Sequence, residues 1–177
     1  VTSLAYEDTG SGDPVLFIAG TGGAGRTWHI HQIPAFLEAG YRCVTFDNRG
    51  IGATANDEGF STEQMIADTV DLIDTVIGGP TRVVAMSMGA FIAQELMLAR
   101  PELVTQTVLM GTRGRVDETR KSFRAADSEL AASGIEVPAA YAAKVRILEN
   151  FSPKTINDPS AIGEWFEMFT AFPLKRT

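Results

Sequence analysis

Four short apolar runs recur along the first two thirds of the chain and restrict what it can fold into: "VLFIA" from Val15, "YRCVTF" from Tyr41, "TRVVAMS" from Thr81 and "LVTQTVLMG" from Leu103. Each has strand length, and the first is continuous, as expected for a strand buried on both faces. Ahead of them, "LAYEDTGSGDP" alternates and then reaches Gly10, Gly12 and Pro14, a strand leaving through a turn. Helical patterns lie between the runs. "HIHQIPAFLEAG" reads as a short helix closed by Gly40, and Pro34 suits its first turn only if the helix starts near Ile33. "STEQMIADTVDLIDTVIGGP" is the clearest helix. Ser61 and Gln64 fit a capping box, Ile66, Val70, Ile73 and Ile77 share a face, and Gly78-Gly79-Pro80 stops it. "MGAFIAQELMLARP" reads as a helix ending before Pro101. Strands and helices alternating through short connections predict an α/β fold, a mainly parallel sheet flanked by helices.

After Gly111 the pattern changes. "TRGRVDETRKSFRAADSELAASG" is charged and helical, with Val116, Phe123 and Leu130 spaced by seven. "AAYAAKVRILEN" puts Tyr141, Val145 and Leu148 on one face, and "DPSAIGEWFEMFTAF" lines up Ile162, Trp165, Phe166, Phe169 and Phe172. No strand returns. The expected organisation is a sheet domain over residues 1–112 and a helical appendage over 113–177.

Charge and composition remove several classes of partner. The 177 residues carry a formal net charge of −7, with no basic excess to replace the counterions of a nucleic acid. The apolar runs are far too short to span a bilayer, and no segment reads as a secretion signal. The chain begins with Val1 rather than Met, as a processed or trimmed chain would. Cys43, the single cysteine, sits inside a predicted strand and reads as a core residue. A cytoplasmic setting is compatible with this composition. Nothing in the sequence calls for a metal or an organic cofactor.

The first apolar run feeds a glycine-rich turn, "AGTGGAG". Gly20, Gly22 and Gly25 fit G-x-G-x-x-G, and Asp47 follows Gly25 by 22 residues at the end of the next strand. One reading is a dinucleotide site, with pyrophosphate on the turn and ribose on Asp47. The other is a turn that holds backbone N–H groups for different chemistry. The stretch "RVVAMSMGAFIAQ" bears on the choice. A strand ends in Ser87, a helix begins at once, and small residues, Ala85 and Gly89, stand two positions to either side. That is the context of a nucleophile elbow, usually G-x-S-x-G, here with alanine at the first position. A sharp turn projects the serine above the sheet, and bulky neighbours would collide with the adjacent strand and helix.

In these residues the chain resembles the α/β-hydrolase superfamily, over nearly its whole length. "AGTGG" stands where the family usually has His-Gly-x-Gly, "FDNRGIG" resembles its D-x-R-G-x-G segment, and "AMSMGA" is the elbow, all in the expected order. The resemblance implies that Ser87 is the nucleophile and that the backbone N–H groups of Thr21 and Met88 form an oxyanion hole. Gly20 and Gly22 would then let the loop approach the reacting carbonyl. In a dinucleotide fold the helix would start inside the glycine motif, whereas here "RTWHIHQIP" intervenes. Asp47 and Arg49 read as holding a polar loop, with Gly50 and Gly52 in tight turns.

The family's order is serine, then acid, then histidine. Both histidines of this chain, His29 and His31, precede Ser87, and no carboxylate follows the strand ending at Gly111 until Asp117. They read as helix-surface or partly packed residues, near enough to the glycine loop to help position it. The economical expectation is an N-terminal piece of an enzyme whose C-terminal strands, acid and histidine lie on a C-terminal fragment or a second chain. The break would fall in or beyond a helical cap, and the "KR" near the end suits a trypsin-like cut. The expected activity is hydrolysis of a carboxylic ester, or a related acyl bond, of a small apolar molecule. Gly20, Gly22, Trp165, Phe166 and Phe169 would line its site, although an aromatic stripe at helical spacing is also ordinary packing. The alternative is a non-catalytic ligand-binding protein or a truncated, inactive hydrolase.

Overall fold

A computed structural model describes residues 4–54, 61–115 and 117–171. Its sheet has five strands: β1 (Tyr6–Thr9), β2 (Pro14–Ile18), β3 (Arg42–Phe46), β4 (Thr81–Met86) and β5 (Val104–Met110). They lie in the order β1-β3-β2-β4-β5. β1 runs antiparallel to β3, and every other pair is parallel, with Val15 beside both Cys43 and Arg82.

The pleat sorts side chains into two layers. Leu16, Ile18, Val44, Phe46, Val83 and Ala85 point into one core, where Met65, Leu72, Ile73, Ile92 and Leu96 meet them. Val15, Phe17, Cys43 and Val84 point into the other, against Trp28 and Ile33. Val15 through Ile18 are all at 0 % exposure, so the continuous apolar run is a strand covered on both faces. Burying each such side chain stabilises the fold by about 1.5–3 kcal/mol before entropy is counted. Cys43 is buried in this second layer, which pushes its thiol pKa up.

The helices explain themselves locally. A 3-10 turn over Gly25–Ile30 precedes α1 (Gln32–Glu38), so Pro34 is the third helical residue, where no N–H is needed. Ser61 caps α2 (Thr62–Leu72) through a complete capping box with Gln64. The expected single helix does not continue unchanged to Ile77. A π turn takes over at Ile73–Ile77, and its last bond runs from the Gly78 N–H to the Ile73 carbonyl at 2.8 Å. The buried face also differs from the expected stripe: Met65, Asp68, Thr69, Leu72 and Ile73 are covered, while Ile66, Val70 and Ile77 flank them half-buried. α3 (Met88–Ala99) buries Gly89, Ala90, Ile92, Ala93 and Leu96.

The chain divides into two compact units between Gly114 and Arg115. The second holds α4 (Glu118–Ser133), α5 (Ala139–Asn150), α6 (Pro153–Ile156) and α7 (Pro159–Ala171). Its core is Ala143 and Ile147 of α5 against Phe169 of α7, with Phe151, Ile156 and Ile162 at the rim. The face expected from Tyr141, Val145 and Leu148 is therefore displaced: Tyr141 and Leu148 are exposed, and the small Ala143 is buried because helix approaches helix there. Phe123 is exposed and Leu130 half-buried on α4, while Val116 and Phe172, expected on these stripes, lie outside the described residues.

Candidate active site

Ser87 sits between the last residue of β4 and the first of α3. Its backbone is at φ 52°, ψ −116°, the one positive φ of a non-glycine residue among those described. A strand that must become a helix within one residue forces this conformation, which costs about 1–3 kcal/mol and persists only where the surroundings hold it. They do. The Ser87 N–H donates to the Met110 carbonyl at the end of β5 at 2.8 Å, and its carbonyl accepts from Ala90 N–H at 3.0 Å. The side chain is exposed, and among the described residues no group hydrogen-bonds its Oγ.

The small flanking residues are required by close approach. Ala85 is fully buried. A Cβ on Gly89 would lie 2.3 Å from the Ile18 carbonyl oxygen and 2.6 Å from that of Ala19, so α3 crosses β2 at this point. Met88 opens the helix, where an N–H has no intrahelical acceptor and the helix dipole favours negative charge.

The glycine-rich turn closes against the same serine. Gly23 N–H donates to the Gly20 carbonyl at 3.0 Å, with Gly22 at φ 69° and Thr21 exposed between them. A Cβ on Gly20 would stand 3.1 Å from Ser87 Cβ and 3.8 Å from its Oγ. The structure thus brings Gly20 and Ser87 together, with the Thr21 peptide adjoining. The hydroxyl lies beside a glycine turn and at the start of a helix, whose N-terminus favours negative charge.

The dinucleotide reading of Gly20, Gly22 and Gly25 is not supported by this geometry. No α-helix starts in the motif, and the Asp47 carboxylate is already engaged: Oδ1 accepts from the Gly25 N–H at 2.7 Å and Oδ2 from the Ala53 N–H at 2.9 Å. Arg49 turns instead to Asp68 on the inner face of α2. The two form a bidentate pair through Nε and a second nitrogen, and the carboxylate pushes the guanidinium pKa further up. Asp68 was legible only as a carboxylate on the buried side of an amphipathic helix, a place where charge needs a partner.

His29 is engaged by other partners than Ser87. Its Nε2 is 3.4 Å from Thr45 Oγ1 and 3.6 Å from Glu7 Oε2, on β3 and β1. His31 is exposed at the start of α1. Within the helical unit, Trp165 and Phe166 are exposed, whereas Phe169 is 7 % exposed and packs its ring on Phe151 and Trp165. Arg146 covers the same Phe169 ring at 3.7 Å. Among the described residues, no group of three or more His, Cys, Asp or Glu could hold a metal ion, and no helix is long and apolar enough to cross a membrane.

A strand–serine–helix elbow under a glycine turn, on a mostly parallel sheet, defines a class, and the comparisons with known proteins agree. The chain belongs to the alpha/beta hydrolase family, whose model matches residues 15–176. It is 62 % identical over 175 residues to "Putative non-heme bromoperoxidase BpoC" of Mycobacterium tuberculosis, covering 99 % of this chain and 67 % of that one. The crystal structure of the M. tuberculosis H37Rv protein superposes with a TM-score of 0.93 at 62 % identity, over 99 % of this chain and 65 % of that chain. "Rhodomycin D methylesterase DnrP" of Streptomyces peucetius is 30 % identical over 130 residues, 71 % of this chain and 44 % of that one. The chain therefore spans about two thirds of the length of its 62 %-identical relative, 67 % by sequence and 65 % by structure.

Proposed function

We propose that the protein is a serine hydrolase acting on a carboxylic ester or related acyl bond of a small apolar molecule. Ser87 Oγ attacks the carbonyl, and the N–H groups of Thr21 and Met88 bind the oxyanion. A histidine takes the serine proton and passes it to the leaving alcohol. Water then attacks the acyl-serine, releasing the acid and restoring Ser87. The observation that carries this reading is Ser87 itself, exposed at φ 52° beneath Gly20. A methylesterase among the relatives supports the ester class.

The histidine and its acid partner belong, in this reading, to a C-terminal segment of the same protein or to a second chain. Two observations favour this. Among the described residues β5 pairs on one side only, with β4, and the chain matches 67 % of the length of the relative with 62 % identity. Gly20 and Gly22 let the turn approach the reacting carbonyl beside Ser87.

The test is turnover of a short-chain p-nitrophenyl ester by the full-length protein and by Ser87→Ala. Turnover vanishes in the variant while its circular dichroism and melting are kept. Activity surviving the substitution overturns the assignment.

A further inference from the structure

Asp47 has the sequence position of a ribose-binding carboxylate, but its two oxygens face inward to two loops. Oδ1 takes the Gly25 N–H at 2.7 Å and Oδ2 the Ala53 N–H at 2.9 Å. The fit leaves no slack, since a Cβ on Gly52 would fall 2.0 Å from Oδ2. Its main chain is clamped as well. Asp47 N–H donates to the Ala5 carbonyl at 2.9 Å, Thr54 Oγ1 donates to the Asp47 carbonyl at 2.8 Å, and Ala5 N–H donates to Thr54 Oγ1 at 2.9 Å. A rigid carboxylate therefore joins the start of β1, the loop after β3 and the end of the glycine turn.

That turn needs an outside anchor. Residues 20–25 include four glycines, and one internal bond, Gly23 N–H to Gly20 carbonyl, closes its first half. Glycine-rich backbone has several accessible conformations. Its second half is fixed where Gly25 lies against the Phe46 backbone, a Cβ there meeting Phe46 N at 2.9 Å, and where Asp47 takes its N–H. A donor displaced by an ångström loses most of its value to a transition state.

We propose that Asp47 is a positioning residue for the oxyanion-binding turn: by holding the Gly25 N–H against the sheet, it fixes the Thr21 N–H in place beside Ser87. The proposal rests on the reading of Ser87 and Thr21 given under Proposed function. Asp47 acts through the loop and touches no substrate.

The experiment measures kcat and KM for a p-nitrophenyl ester in the full-length protein carrying Asp47→Asn, which keeps one acceptor and turns an NH2 toward the other N–H. Its kcat falls by about 10- to 100-fold, as for a misplaced oxyanion donor, while KM stays within about twofold. Thr54→Val is the control. It cuts the two bonds through Thr54 Oγ1, to the Asp47 carbonyl and from the Ala5 N–H, but keeps the Asp47 N–H to Ala5 bond and leaves the carboxylate alone, so melting drops and kcat holds. Should Asp47→Asn fail to fold, Gly52→Ala displaces the carboxylate without removing it and gives the same kcat-against-KM split. Unchanged kcat in Asp47→Asn or Gly52→Ala, or an equal kcat loss in Thr54→Val at equal melting, overturns the proposal. Ser87→Ala measured alongside separates the two failures: turnover surviving there sinks the nucleophile assignment instead.

Discussion

Replacing Gly89 by alanine sets two rules against each other. Gly89 is the second residue of α3, and in an exposed helix position alanine is better than glycine by about 1 kcal/mol. Here the added methyl would lie 2.3 Å from the Ile18 oxygen and 2.7 Å from its carbonyl carbon, both backbone atoms of a fully buried strand. Ordinary contact needs more than an ångström beyond that, so helix and strand must separate. Overpacking of this kind costs about 1–3 kcal/mol and can exceed it when backbone has to move. Because both contacts are with backbone, the cost falls at the top of that range, about 3 kcal/mol, and net of the propensity gain we expect a loss of about 2 kcal/mol, a fall in Tm of about 4–8 °C for a chain of this size. Gly163 of α7 is the matched control. A Cβ there meets nothing within 4 Å, so Gly163→Ala gains about 1 kcal/mol. Urea denaturation of the two variants followed by circular dichroism reads both signs. A Gly89→Ala protein as stable as the parent would refute the claimed crossing of α3 over β2.

Other expectations follow from single contacts. Ser87→Gly removes the strain of a side chain at φ 52° and raises stability by about 1 kcal/mol in denaturant titration while abolishing turnover; a loss of stability would contradict the strained turn. Arg42 grips Asp8 with bonds of 2.7 and 2.9 Å and lowers its carboxyl pKa, so the pair stabilises the fold above the unfolded carboxyl pKa. That contribution disappears as pH falls through the lowered folded value. Asp8→Asn should therefore cost about 1 kcal/mol at pH 7, and its deficit should close below about pH 4, as melting at both pH values would show. In the helical unit, Phe169→Ala should cost about 3–5 kcal/mol of that unit's stability, whereas Phe166→Ala, at an exposed position, costs little, as denaturant titration of the two variants would show.

Much of the first unit was readable because its signals are local. A continuous apolar strand, a Ser61–Gln64 capping box and a serine between strand and helix each depend on neighbours within a few residues. What escaped reading depends on approach between distant segments. The Asp47–Gly25 bond has the same spacing as a ribose-binding motif, and only the fold shows that the carboxylate is consumed internally. The inner face of α5 was misplaced because periodicity weighs large apolar residues, while close packing selected Ala143 and left Tyr141 and Leu148 exposed. Arg49 was expected to serve the loop of Asp47, yet its partner is Asp68, 19 residues on.

The central claim is that Ser87 is an activated nucleophile. Its most direct test is intact-mass and peptide-mass spectrometry of the full-length protein after a fluorophosphonate probe, alongside Ser87→Ala. One adduct per chain, mapped to the peptide holding Ser87 and absent from the variant, is the predicted result. No adduct, or the same adduct in Ser87→Ala, would contradict it.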